Sequence, residues 1–210
     1  MDAQILSYSL LALMWSAYCA VHSLTISPPF LRWVKRRFPN GHRYHRLAFN
    51  LFSVLTLIPV AVYTLSLNTA PLFEWHGHLR WLQAAFIVTG ITLIIAGASN
   101  YDFKEFSGLS QISNADACRS IGKDCELNTA GILGLVRHPW YTAVVCLLWA
   151  RSLDTAAIIV NTVLTVYVVI GTHLEERKLI AAFGQTYRDY QKEVSMFLPI
   201  KWLISKIETR

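Results

Sequence analysis

Apolar segments long enough for membrane helices restrict the fold of this chain more than any other feature. A helix needs about 20 mostly apolar residues to cross a hydrocarbon core of about 30 Å, and in lipid its backbone polar groups are satisfied internally. The segments cover residues 5–26, 47–67, 79–97, 140–153 and 156–172. With 54% hydrophobic residues, the chain is too apolar for an ordinary soluble domain. The sequence therefore predicts an all-α integral membrane protein, with about five transmembrane helices in a single domain over residues 1–210.

The fourth apolar segment is shorter than the others, and it is followed almost at once by the fifth. Only the short connection from Arg151 to Thr155 separates the two. Connections this short join antiparallel neighbours. We therefore expect the fourth and fifth helices to form a tight hairpin.

Basic residues cluster in the first loop, which contains no acidic residue. They are Arg32, Lys35, Arg36, Arg37, Arg43 and Arg46. Positive charge keeps a loop in the cytoplasm, which places the N-terminus outside, a long loop at 99–138 inside and an amphipathic tail at 173–210 inside. We expect a multi-pass protein of the bacterial inner membrane with lipid contacts, and no nucleic-acid partner, because such a surplus serves topology and headgroup contact. The sequence leaves the oligomeric state open.

The four cysteines predict neither a disulfide framework nor a metal site. Cys19 and Cys146 fall within apolar segments, whereas Cys118 and Cys125 fall on the predicted cytoplasmic side, which is reducing. A zinc site would need a second pair of ligands, and none follows Cys118 and Cys125. No metal is expected.

The sequence Arg137-His138-Pro139 opens the fourth apolar segment and marks a helix start. Proline suits the first helical turn, where its missing N–H would have had no partner. Free backbone N–H groups and the helix dipole favour an anion at such a start, and Arg137 and His138 add donors. The pattern predicts a site for a ligand carboxylate. The alternative is an Arg-His pair that faces lipid phosphates.

Two acidic residues, Glu175 and Glu176, follow the fifth apolar segment. Basic residues are the usual choice where a membrane helix leaves the cytoplasmic side of the bilayer. The alternative to a functional role is an exposed pair with Arg177 or Lys178. Because the predicted hairpin starts and ends at the same membrane face, the two acids and Arg137-His138 can line one pocket.

The C-terminal third resembles the superfamily of isoprenylcysteine carboxyl methyltransferases and related membrane methyltransferases. The shared pattern is Arg-His-Pro-x-Tyr, a hairpin, Glu-Glu-x-x-Leu-x-x-x-Phe-Gly-x-x-Tyr-x-x-Tyr and a terminal Phe-x-Pro. Its positions here are Arg137, His138, Pro139, Tyr141, Glu175, Glu176, Leu179, Phe183, Gly184, Tyr187, Tyr190, Phe197 and Pro199. The N-terminal half is similar to the NnrU branch and the methanethiol S-methyltransferases through Val21-His22-Ser23-Leu24, the basic loop, and residues 102–111.

The resemblance implies S-adenosylmethionine as cofactor, held by the C-terminal helices. Carried over by position, the cofactor residues are Leu127, Leu133, His138, Pro139, Trp140, Tyr141, Glu175 and Glu176. Two positions depart from the prenylcysteine enzymes: Leu133 replaces a tyrosine, and Gly171 replaces the arginine that holds the substrate. A prenylcysteine carboxylate therefore lacks its expected partner.

The resemblance and the chemistry of methyl transfer favour a small thiol or another small lipophilic acceptor. Attack by a thiolate on a cationic sulfonium removes both charges, and an apolar site that excludes water favours it. We expect Arg137 and His173 to be catalytic by lowering the pKa of the thiol. An isoprenylcysteine carboxyl O-methyltransferase is the first alternative.

Two further alternatives belong to other functional classes. His22 and His173 lie in or at the end of apolar segments, where ionisable groups are candidates for function, and paired histidines can ligate haem. A haem-binding membrane protein would use them. In a non-catalytic NnrU-like membrane factor, Arg137-His138-Pro139 would serve only as a helix start.

Overall fold

The computed structural model describes residues 3–67, 69–98, 107–109, 112 and 127–208. Apart from two isolated β-bridges, its regular structure in these ranges is helical. The α-helices are α1 (Ala3–Thr25), α2 (Pro28–Arg37), α3 (His45–Ser66), α4 (Leu79–Ala98), α5 (Pro139–Trp149), α6 (Thr155–Phe183), α7 (Gln185–Glu193) and α8 (Ile200–Glu208). Two short 3₁₀ helices cover His42–Tyr44 and Gly131–Gly134. Cys118, Cys125 and most of the predicted loop at 99–138 lie outside the described residues.

Four of these helices, α1, α3, α4 and α6, are long and apolar enough to cross a membrane. The chain is therefore an all-α membrane protein. The fourth predicted span is the 11-residue helix α5, whose length of about 16 Å is roughly half of a hydrocarbon core. The span count of five, the single domain and the orientation of the termini stay predictions.

The described chain divides into two compact units. The first contains the described residues within 1–74, 103–117 and 152–167. Its core is formed by Leu11, Trp15, Val60, Ala156 and Val160. The indole N–H of Trp15 donates to Thr64 Oγ1 at 3.0 Å, so α1 and α3 are joined by a polar contact as well as by apolar packing, as is common between membrane helices.

The second unit contains the described residues within 75–102, 118–151 and 168–210, and α5 packs along α4 within it. The two helices run antiparallel: Gly97 lies against Trp140, Gly90 lies against Leu147, and Gln83 Nε2 donates to the carbonyl oxygen of Ala150 at 2.9 Å. Small residues let membrane helices approach closely. The lack of a side chain at Gly97 therefore lets the start of α5 lie close against α4.

Gly97→Ala tests this close approach. A β-carbon at position 97 would overlap the indole of Trp140, so we expect the free energy of unfolding to fall by about 1–3 kcal/mol, as for other overpacked sites. Gly171→Ala is the matched control, because a β-carbon there meets nothing within 4 Å and alanine is the better helix former by about 0.5–1 kcal/mol. Thermal unfolding in detergent measures both. Equal shifts for the two variants would contradict the close contact.

Helix α6 continues past the predicted end of the fifth apolar segment and carries the two adjacent acids. It begins after Asp154, whose Oδ1 accepts from the backbone N–H of Ala157 at 2.6 Å, as an N-cap does. It ends at Phe183 because Gly184 takes φ +58°, which side chains disfavour. The chain then turns into α7, an amphipathic helix that buries Tyr187 and Tyr190.

Candidate active site

The start of α5 lies beside residues 194–197, which we call the tail strap. The backbone N–H of Arg137 donates to the carbonyl oxygen of Ser195 at 2.9 Å, and that of His138 donates to Met196 at 3.1 Å. Thr142 Oγ1 donates to the carbonyl oxygen of Phe197 at 3.1 Å. The tail strap therefore uses donors at the helix start that the sequence analysis assigned to a ligand carboxylate.

Glu176 is the centre of a buried polar network. Its Oε1 accepts from Arg137 Nε at 2.7 Å and from Tyr187 OH at 3.3 Å, and it lies 3.2 Å from His138 Nε2. Its Oε2 accepts from Gln191 Nε2 at 2.8 Å. Only 7% of the side chain is exposed. A buried carboxylate needs such partners, and these come from the two residues before α5 and from α7.

The guanidinium of Arg137 is turned into the same network. Besides Glu176, it donates through Nη1 to the carbonyl oxygens of Gln191 and Val194. Burial, and then the negative charge of Glu176, raise the pKa of Tyr187, so its hydroxyl stays protonated and donates to Glu176. These hydrogen bonds link the start of α5 to α6, α7 and the tail strap.

Glu175 differs from Glu176 because its carboxylate is partly exposed, at 29% of the side chain. Its Oε2 accepts from Tyr141 OH at 2.7 Å and lies 3.9 Å from His138 Nδ1. The rings of His138 and Tyr141 stack with centroids 5.5 Å apart and planes 10° apart. The carboxylate is thus held from one side and keeps accepting capacity, since an ionised carboxylate offers about four lone pairs.

A shallow, open cavity lies at this end of the second unit. Three leucines form apolar wall, two tyrosines add aromatic surface, and Glu175 contributes a carboxylate. The lining residues are Leu127, Asn128, Leu133, Arg137, His138, Glu175, Leu179, Tyr187 and Tyr190. Its mixture of apolar wall and few polar groups is typical of small-molecule sites.

The structure brings most of the predicted site residues to this cavity. Those that line it are Leu127, Leu133, Arg137, His138 and Glu175, with Glu176 and Tyr141 in contact behind them and Pro139 buried at the start of α5. Trp140 does not line the cavity. Its indole N–H donates to the carbonyl oxygen of Ile94 at 3.2 Å. His173 is exposed on α6 and is not among the lining residues.

Several residues of the site had no role in the sequence analysis. They are Asn128, Leu179, Tyr187, Tyr190 and Gln191. Leu179, Tyr187 and Tyr190 belong to the pattern of the resemblance, so the sequence could have indicated them as site residues. Gln191 matches no position of the pattern and only its contacts identify it.

The histidine proposed as one haem ligand lies in the first unit. His22 Nδ1 is 3.2 Å from Ser53 Oγ, and its ring centroid is 4.8 Å from that of Phe49. Its ring is therefore engaged by neighbours in α3.

Comparison with known proteins gives consistent matches over nearly the whole chain. The sequence profile of the family described as NnrU protein matches residues 10–204. Methanethiol S-methyltransferase 2 of Bradyrhizobium diazoefficiens is 28% identical over 188 residues, which are 89% of this chain and 71% of that protein. The methanethiol S-methyltransferase of Crocosphaera subtropica is 31% identical over 190 residues, which are 85% and 69% of the two chains. No solved structure matches the chain with significant similarity.

Proposed function

Because the chain belongs to the NnrU protein family and is similar over most of its length to proteins named as S-methyltransferases, we propose that it is a membrane methyltransferase. The donor is S-adenosylmethionine and the acceptor is a small thiol. The observation that carries the proposal is the cavity in which the partly exposed carboxylate of Glu175 faces leucine and tyrosine side chains.

The residues of the cavity fit the chemistry of S-adenosylmethionine. The donor combines a cationic sulfonium and amino group with ribose hydroxyls and a flat base. Glu175 supplies an acceptor for cationic or hydroxyl groups, and Leu133 and Leu179 supply apolar wall beside the buried rings of Tyr187 and Tyr190. When bound, the donor supplies a methyl group that leaves a positively charged sulfur.

The chain's own contribution is to hold the donor and exclude water. Glu176 is saturated by its partners and Arg137 is turned inward, so neither side chain can reorganise during methyl transfer without breaking buried hydrogen bonds. Rigid groups around an apolar site favour a reaction in which charge disappears. Arg137 and Glu176 thus act as positioning residues in this proposal.

A small acceptor is favoured over a prenylcysteine. Gly171, where the prenylcysteine enzymes carry an arginine, has no side chain, and a β-carbon there would meet open space. A carboxylate acceptor would therefore find no cationic partner at this position, whereas a small thiol needs none. Transfer to an isoprenylcysteine in preference to alkyl thiols would reverse this choice.

Donor binding to the purified protein is the direct test of the proposed function. We expect saturable binding of S-adenosylmethionine by the parent protein, and a dissociation constant about 10–100-fold higher for Glu175→Gln, because a hydrogen bond to a charged group contributes about 1.5–3 kcal/mol. Glu193→Gln, an exposed acid of α7, should bind like the parent protein. Isothermal titration calorimetry in detergent measures all three.

Two results would separate the proposal from its alternatives. If the parent protein shows no saturable binding, the enzyme proposal fails and the non-catalytic membrane factor takes its place. A Soret band in the purified protein would instead support haem binding through His22 and His173.

A further inference from the structure

The imidazole of His138 lies between two carboxylates. Its Nε2 is 3.2 Å from Glu176 Oε1, and its Nδ1 is 3.9 Å from Glu175 Oε2. The same Oε1 already accepts a hydrogen bond from the guanidinium of Arg137 at 2.7 Å, as an ionised carboxylate does. An ionised carboxylate has no proton to donate, so the hydrogen between the two residues belongs to His138 Nε2.

This assignment leaves Nδ1 as the lone-pair nitrogen of the neutral ring. Its distance of 3.9 Å to Glu175 is beyond hydrogen-bond reach. Among the described residues, no hydrogen bond to Nδ1 is formed. His138 and Glu175 both line the cavity. A basic nitrogen therefore faces the side on which the cavity-lining carboxylate lies.

We propose that His138 is the general base that takes the proton of the acceptor thiol, an inference that rests on the proposed function. The S–H proton passes to His138 Nδ1 while the sulfur electron pair forms the new S–CH₃ bond. The bond between that methyl group and the sulfonium sulfur of the donor breaks, and its electron pair stays on the donor sulfur as a neutral thioether. The imidazolium then releases its proton to water.

A simple thiol requires such a base because its pKa lies above neutral pH and only the thiolate is strongly nucleophilic. The surroundings of His138 stabilise the charge that the ring acquires. Glu175 and Glu176 flank it, and the stacked ring of Tyr141 adds electron-rich aromatic surface. Arg137, a nearby cation, shares Glu176 with it. A carboxylate that holds one ring nitrogen while the other takes a proton is the arrangement used in many hydrolases.

Arg137 and His173, which the sequence indicates as catalytic, suit this role less well. The donors of Arg137 are directed to Glu176 and to backbone carbonyls, and an arginine stays protonated. His173 is exposed and does not line the cavity. His138 is the histidine that combines a place in the cavity wall with a carboxylate partner.

The test compares two thiols with His138→Gln, whose amide can still donate to Glu176. One substrate is an alkyl thiol, which is mostly protonated at the assay pH, and the other is an aryl thiol, which is mostly ionised. Loss of a general base typically costs about 10²–10⁴-fold in rate. We expect a loss of this size with the alkyl thiol, a much smaller loss with the aryl thiol, and calorimetric donor binding close to that of the parent protein. His78→Gln, an exposed histidine before α4, should match the parent protein with both thiols.

Equal losses with both thiols, or a large loss of donor binding in His138→Gln, would overturn the role of base and leave His138 as a donor-binding or structural residue. A second readout needs no turnover: ¹⁵N NMR of histidine-labelled parent protein should show the ring hydrogen of His138 on Nε2, and finding it on Nδ1 would also overturn the proposal. Absence of donor binding by the parent protein would instead defeat the proposed function itself.

Discussion

Glu176→Ala is expected to lower the free energy of unfolding by about 3–5 kcal/mol, because it leaves a buried guanidinium without its counter-ion. The side chain of Glu176 is 7% exposed, and its Oε1 lies 2.7 Å from Arg137 Nε. Its removal also takes an acceptor from Tyr187 and Gln191. Denaturant unfolding in mixed micelles measures the loss.

The exposed ion pair of α7 is the control for this prediction. Lys192 Nζ lies 2.7 Å from Asp189 Oδ1, the same distance as in the buried pair, but the side chains are 71% and 53% exposed. Surface pairs contribute little because water already solvates both charges, so Asp189→Ala should change the unfolding free energy far less. The double variant Arg137→Met with Glu176→Leu should recover much of the loss, since apolar replacements of buried pairs are often tolerated. A double variant less stable than Glu176→Ala would contradict this account.

A chain that stops after Glu193 is expected to lose donor binding and at least about 3–4 kcal/mol of stability. It lacks the tail strap, and so Arg137, His138 and Thr142 lose four acceptors, the carbonyl oxygens of residues 194–197. Each lost hydrogen bond contributes about 1 kcal/mol, and a donor left buried without a partner costs more. Val194, which packs in the apolar cluster of α6 and α7, is removed as well.

A chain that stops after Pro199 is the matched control. It keeps the four carbonyl oxygens and loses α8, which has no buried residue. We expect donor binding close to that of the full chain and a smaller change in the unfolding free energy. If the two truncated chains bind the donor equally well, the tail strap has no part in holding the site.

The long helices of this protein are predictable from the sequence because their signal is local. Apolar segments of 20 residues have few structural options in lipid, and helices occur where the sequence indicates them, for example Leu79–Ala98 against the segment 79–97. Pro139 is likewise the first residue of α5, as a proline after a polar pair indicates. Each of these conclusions needs only a window of neighbouring residues.

The partners of the candidate site are not local, and several of them cannot be predicted from the sequence. Arg137 binds carbonyl oxygens more than fifty residues away, and a backbone carbonyl leaves no trace in a sequence. The sequence therefore predicted an arginine open to a ligand anion, whereas the structure has it inside a protein network. The two adjacent acids were predicted to act together, but a rotation of about 100° per helical residue separates them. One is buried and one reaches the cavity.

The conformation of Gly184 has a stereochemical consequence for the whole C-terminal segment. Its φ of 58° and ψ of −125° are close to the mirror image of an extended L-residue. At this one position the chain is folded as if it were built from amino acids of the opposite hand, which glycine permits because it is achiral. The course by which Tyr187 and Gln191 come back to Glu176 thus depends on a residue with no handedness, and a D-amino acid would suit position 184 better than any of the chiral residues available to the ribosome.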